Sequence, residues 1–172
     1  LRTALGAKFP MAAFREELER LWEEFIHENG MPLKPGIKQA LNTLQEHSIP
    51  YAIATSTPHE RARLSLKIAG ILDCFDVIVG GDQVSNGKPA PDIFISAAEK
   101  ISIDPSQCIA VEDSAVGTRA ATSAGMYTIL IPDLKQPDGE IRELAHEIHQ
   151  SMDHALPNIM ALLQHTKPSN LS

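Results

Sequence analysis

A chain of 172 residues can build one domain with a full core, or one domain with a small appendage. Its 43% hydrophobic and 22% charged residues are ordinary for a globular protein, and a net charge of −7 argues against nucleic acid or an anionic membrane surface as the main partner. An anionic small substrate stays open, because a local cationic pocket can sit in an acidic protein.

Residues 12–29 carry Phe14, Leu18, Leu21, Trp22, Phe25 and Ile26 at helical spacing, with Glu and Arg on the other face, and Gly30 ends the pattern. M-P-L-K-P-G (31–36) reads as a connector. Residues 37–47 form a second amphipathic helix, with Ile37, Leu41 and Leu44 on one face. A regular alternation follows. Short apolar runs at 51–54, 76–79, 108–111 and 127–131 predict strands. Between and after them, 58–69, 91–101, 115–124, 139–149 and 156–164 predict helices, and 167–172 a frayed tail. This order predicts an α/β fold: a Rossmann-like parallel sheet with helices on both faces. Cys74 and Cys108 lie in apolar segments without metal-like spacing, as expected of reduced thiols in a cytoplasmic protein. No apolar run approaches a membrane span, and no signal-peptide pattern is visible in these residues. The seven histidines form no metal pattern, and His59 reads as a solvated residue at a helix start.

In open α/β sheets ligands bind beyond the carboxyl ends of the strands, so the residues there carry the functional argument. After the first strand come Thr55, Ser56 and Thr57. Thr57 with Glu60 fits a capping box, and Pro58 suits the first turn. A cap accounts for Thr57 but not for Thr55 and Ser56, and hydroxyls at a helix N-terminus suit an anion. After the second strand comes N-G-K-P-A-P-D (86–92), in which Pro89 and Pro91 stiffen the chain beside Lys88. After the third come Glu112 and Asp113, then Ser114. An N-cap accounts for Asp113 or Ser114 but not for Glu112. Two adjacent carboxylates repel each other, and a hard divalent cation such as Mg2+ would account for both. Hydroxyls, a lysine and a carboxylate pair at successive strand ends suit a phosphate group with its Mg2+.

A-I-A-T-S-T (52–57), G-K-P-A-P-D-I-F (87–94) and V-E-D-S-x-x-G (111–117) resemble, in order and spacing, the haloacid dehalogenase superfamily. The resemblance is to subfamily I, which includes beta-phosphoglucomutases and sugar-phosphate phosphatases, and it covers about residues 31–135. It implies that residues 1–31 are the end of a helical cap domain and that 32–172 are the α/β core, lacking its first strand. It implies that Thr55 holds the transferring phosphoryl group through its hydroxyl, helped by the Ser56 N–H. Lys88 would bridge phosphate and nucleophile. Asp113 would ligate Mg2+, with Glu112 as a second ligand or a group that orients the first. Dehalogenases of the family lack this acidic pair, and its phosphonate-cleaving members usually have Arg in the place of Lys88. Beta-phosphoglucomutases tend to follow the phosphate hydroxyl with Ser-Lys-Asn, where this chain has Thr57-Pro58-His59. The expectation is therefore a Mg2+-dependent phosphatase of a small phosphorylated metabolite. A phosphosugar mutase and a non-catalytic phosphate-binding module stand as alternatives, and a receiver-like signalling domain fits poorly.

The family's chemistry begins with D-x-D-G-T/S at the end of the first strand, where one Asp attacks phosphorus and the other serves as acid and base. No D-x-D occurs in these 172 residues. The start without Met, in cap-like sequence, reads as a fragment rather than as a protein that lost catalysis. The chain alone is expected to be inactive. The strand that carries the nucleophile is central in the family's sheet. Without it, the strands at 51–54 and 108–111 should leave a gap or close onto each other, with poor stability or a partner chain in the slot. Trp22 and Phe25 read as cap core rather than substrate contacts, and Asp82 and Asn86 as loop-shaping residues. Substrate identity and oligomeric state are not legible.

Overall fold

The computed structural model describes residues 9–133 and 136–165, so the expected frayed tail lies outside the described residues. Helix α1 (Met11–Asn29) follows Pro10 and stops at Gly30, whose φ of 72° is open to glycine at little cost. Only part of its apolar face finds cover. Ile26 is buried, whereas Phe14, Leu18, Leu21 and Phe25 are exposed, so the expected packing of Phe25 into a core is not seen among the described residues. Trp22 instead lies beneath Arg61, with the guanidinium 4.3 Å from the ring centroid, and Arg61 also reaches Glu19 at 3.3 Å.

The connector leads to α2 (Ile37–Glu46), which buries Ala40 and Leu41. Gly36 precedes it at φ 85°, where an added Cβ would stand 2.5 Å from the backbone nitrogen of Asp153. Thereafter strands and helices alternate as expected. Strand β1 (Ile53–Ala54) leads to α3 (His59–Ile68), and β2 (Ile78–Val79) to α4 (Asp92–Lys100). Strand β3 (Ile109–Glu112) leads to α5 (Ala115–Ser123), and β4 (Tyr127–Leu130) to α6 (Gly139–Leu144). A short strand β5 (Glu147–Ile148) and α7 (Met152–His165) complete the order.

All strand pairs are parallel, but they form two sheets: β1 with β2, and β3-β4-β5. Strands β1 and β3 are each an end strand, and no ladder joins them among the described residues. Of the two expected outcomes, the gap is the one observed. One hydrophobic cluster crosses it, in which Val79, Ile93 and Phe94 gather with Ala110, Ala120 and Ala121, and a second holds Ile129, Ala155 and Ile159. Each fully buried aliphatic side chain such as Ile93 contributes about 1.5–3 kcal/mol relative to exposure.

Two expectations need correction. The helix expected over 139–149 ends at Leu144, because Ala145 is extended and Glu147–Ile148 pairs with Ile129 and Leu130. The cause is tertiary. The amides of His146 and His149 donate to the carbonyls of Thr128 and Leu130, both at 2.9 Å, along an otherwise open flank of β4. A helix there would leave those backbone groups without ladder partners beside the buried Ile129 and Leu130. The last helix begins at Met152 rather than 156, with Pro157 inside it. Proline removes one helical hydrogen bond, and burial of Ala155, Leu156 and Ile159 offsets the loss.

Candidate active site

The carboxyl ends of β1, β2 and β3 bring the sequence-predicted residues to one end of the core. At β1, the Thr55 amide donates to the Val79 carbonyl at 3.0 Å, which continues the ladder. The Thr55 hydroxyl oxygen accepts from the Thr57 amide at 3.2 Å. The capping box expected of Thr57 and Glu60 does not form. Pro58 takes the N-cap position, without a side-chain cap, which leaves Thr57 one residue too early. The His59 amide instead donates to Asp82 Oδ1 at 2.7 Å, so the loop after β2 caps the helix after β1.

That cap requires two loops to touch. A Cβ on Gly80 would lie 2.4 Å from the His59 nitrogen, and one on Gly81 would lie 2.5 Å from the Ser56 carbonyl oxygen. Glycine is the residue that permits both approaches. Ser56 is thereby held by its backbone against Gly81. The imidazole of His59 is not solvated as expected: its side chain is 23% exposed, and Nδ1 is buried without a hydrogen-bond partner among the described residues.

Lys88 follows a tight turn in which the Asn86 amide and Nδ2 both donate to Asp92 Oδ1, at 3.2 and 2.9 Å. The Lys88–Pro89 peptide bond is cis. The lysine reaches across the break between the sheets. Its Nζ donates to the Ala54 carbonyl at 3.1 Å and to Glu112 Oε1, and lies 4.7 Å from the centroid of the Phe94 ring. An ammonium held by a carbonyl, a carboxylate and a ring face is a fixed point charge.

At the end of β3 the two carboxylates part ways. Glu112 turns inward, with Oε1 on Lys88 and Oε2 accepting from the Ser114 hydroxyl at 3.3 Å. Gly117 makes room for it, since a Cβ there would lie 1.8 Å from Glu112 Oε2. Ser114 is the N-cap of α5, accepting from the Gly117 amide at 3.1 Å, so Asp113 has no capping duty. Asp113 faces outward. Lys34 Nζ stands 3.8 Å from Asp113 Oδ2 and 3.1 Å from Asp133 Oδ1.

Sequence reasoning missed three of these participants. Asp82 reads only as loop-shaping, Asp133 only as a strand-end aspartate that Leu134 and Lys135 do not continue into a D-x-D motif, and Lys34 lies unremarked in the connector. None had a local signal, because their partners are distant in sequence. Among the described residues, no three His, Cys, Asp or Glu side chains form a metal-holding group. Asp113 has the chemistry for a hard cation: an outward oxygen donor at a strand end with no structural task within its own helix. It could supply one or two ligands of such a shell.

The profile of the haloacid dehalogenase-like hydrolase family matches residues 3–131. The phosphorylated carbohydrates phosphatase of Thermotoga maritima is 40% identical over 133 residues, which are 75% of this chain and 59% of that protein. The bifunctional riboflavin kinase/FMN phosphatase of Arabidopsis thaliana is 42% identical over 103 residues, 58% of this chain and 27% of that one. The chain thus spans between about a quarter and three-fifths of these relatives. Among solved structures, CbbY from Rhodobacter sphaeroides in complex with phosphate is 28% identical, with a TM-score of 0.74 over 87% of this chain and 67% of its own.

Proposed function

We propose, from the premise that the chain belongs to the haloacid dehalogenase-like hydrolase family, that it acts in a Mg2+-dependent phosphatase of small phosphorylated metabolites, sugar phosphates foremost. The observation that carries this reading is Lys88, which joins the ends of β1 and β3 through the Ala54 carbonyl and Glu112. A phosphoryl group arriving at Thr55 meets a cation already fixed at the break between the sheets.

In this reading the Thr55 hydroxyl donates to the phosphoryl oxygens, since its oxygen already accepts from Thr57 and its proton remains to give. The Ser56 amide assists. Lys88 offsets negative charge as it builds on phosphorus. Asp113 would hold Mg2+, with Glu112 as a second ligand or as a group that orients the first, and Glu112 orients Lys88. Bound Mg2+ supplies charge neutralisation at the transferring oxygens. The aspartyl nucleophile of the family is assigned to a segment outside these 172 residues. Residues 1–31 are assigned to the end of a cap domain, which the exposed apolar face of α1 supports. The free thiols of Cys74 and Cys108 fit a cytoplasmic setting. No helix of the described residues is long and apolar enough to cross a membrane.

Phosphatase is favoured over mutase by the start of α3. Pro58 offers no donor and the His59 amide is taken by Asp82, so a second phosphate finds no ready grip there.

The test is Mg2+-dependent hydrolysis of an aryl phosphate, run on this chain and on the longer product of its gene. The expected result is no turnover by the chain alone, and turnover by the longer product that Lys88→Ala abolishes. Turnover by the 172-residue chain that Lys88→Ala removes would place a nucleophile within it and overturn that assignment.

A further inference from the structure

We propose that Lys34 is a built-in counter-cation that competes with a divalent metal ion for Asp113. The inference rests on the metal reading above and deepens it, by giving the site an internal competitor.

Three observations carry it. Lys34 lies in the connector between α1 and α2, yet its Nζ stands between Asp113 at the end of β3 and Asp133 beyond the end of β4. Asp113 is open to this contact, because Ser114 caps α5 in its place and Glu112 takes the buried lysine. All three partners are half-exposed: 50% for Lys34, 58% for Asp113 and 51% for Asp133. Water and ions therefore have access to the contact, and an ammonium on a flexible four-carbon stem can leave it.

The two lysines of the site thus differ in kind. Lys88 is enclosed and held by three partners, whereas Lys34 is an exchangeable charge on a movable arm. A divalent ion at Asp113 carries twice the charge and coordinates the oxygen directly, so it displaces Lys34 at a cost in apparent affinity. For unit charges a few ångströms apart in water, that cost is about fivefold. Because the connector carries the lysine, metal arrival also removes a contact between the connector and the core.

The test uses Mn2+ as probe on this chain, followed by paramagnetic broadening of the amide signals of residues 112–114, which detects weak binding. Lys34→Met is expected to lower the half-maximal Mn2+ concentration about fivefold, whereas Lys34→Arg, which keeps the charge, leaves it unchanged. Asp113→Asn in the Lys34→Met background is expected to abolish the gain. If Lys34→Met binds Mn2+ no more tightly than the native chain while Asp113→Asn weakens binding, the metal reading stands and competition by Lys34 is refuted. If no broadening centred on residues 112–114 occurs in any variant, or if Asp113→Asn leaves it unchanged, the metal reading fails and this inference with it.

Discussion

Lys88 and Glu112 face each other across the break between β1 and β3, each with a side chain only 8% exposed. No other ion pair of the described residues is so enclosed. Burying two charges is costly unless both stay paired, and removing one partner leaves the other stranded. Lys88→Met and Glu112→Leu should each destabilise the fold by about 3–5 kcal/mol. The double variant Lys88→Met/Glu112→Leu should recover much of that loss. Urea unfolding of the three variants gives the cycle, and additive losses would mean that the charges do not depend on each other.

The carboxylate of Glu112 also fixes what can stand at position 117. A Cβ there would lie 1.8 Å from Oε2, so Gly117→Ala must displace the carboxylate or the helix that follows it. The expected loss is about 1–3 kcal/mol. The same substitution should cost less in a Glu112→Ala background, where the obstructing atoms are gone. Thermal melts of the four chains measure the difference.

Asp82 caps α3 from another loop, through the His59 amide. Asp82→Ala should lower stability by about 1 kcal/mol, and Asp82→Asn by less, since the amide oxygen can still accept. Hydrogen exchange at the His59 amide should quicken in the alanine variant. Unchanged exchange would mean that the helix start is held by something else.

Glu147 sets an acid limit on the edge strand. It accepts from His149 Nε2 at 2.6 Å, from Asn158 Nδ2 at 3.1 Å and from the Tyr127 hydroxyl at 3.0 Å. The His149 hydrogen bond foremost holds its carboxyl below the ordinary value of 4.5. A carboxyl depressed on folding contributes stability in full above its unfolded value, and that contribution is lost as pH falls through the folded one. The melting temperature should therefore drop more steeply below about pH 4.5 than above it. Glu147→Gln should be less stable near neutrality and should lose part of that steepness.

What could be read from the sequence was what is local. Short apolar runs ending in hydroxyls, a lysine between prolines and a carboxylate pair mark strand ends by composition alone, and the structure gathers Thr55, Lys88 and Glu112 at one end of the core. The strand at Glu147–Ile148 was illegible, because H-E-I-H has no apolar alternation and becomes extended only beside β4. The capping of α3 was misread for a similar reason. Thr57 and Glu60 have the right spacing, but the acceptor that wins comes from 23 residues along the chain. Lys34 was invisible as a site residue, since nothing near it in sequence predicts Asp113 as a neighbour.

The divided sheet has a consequence for assembly. Among the described residues, strands β1 and β3 each end a sheet, so each has a flank to which no ladder is seen there. A bare flank is a template for any extended chain. Two such flanks in one molecule form a selective receptor: a segment inserted between them could bond on both sides while being ordered once. In such a molecule, complementation by an added peptide and clumping with its own kind are competing outcomes of one unmet valence.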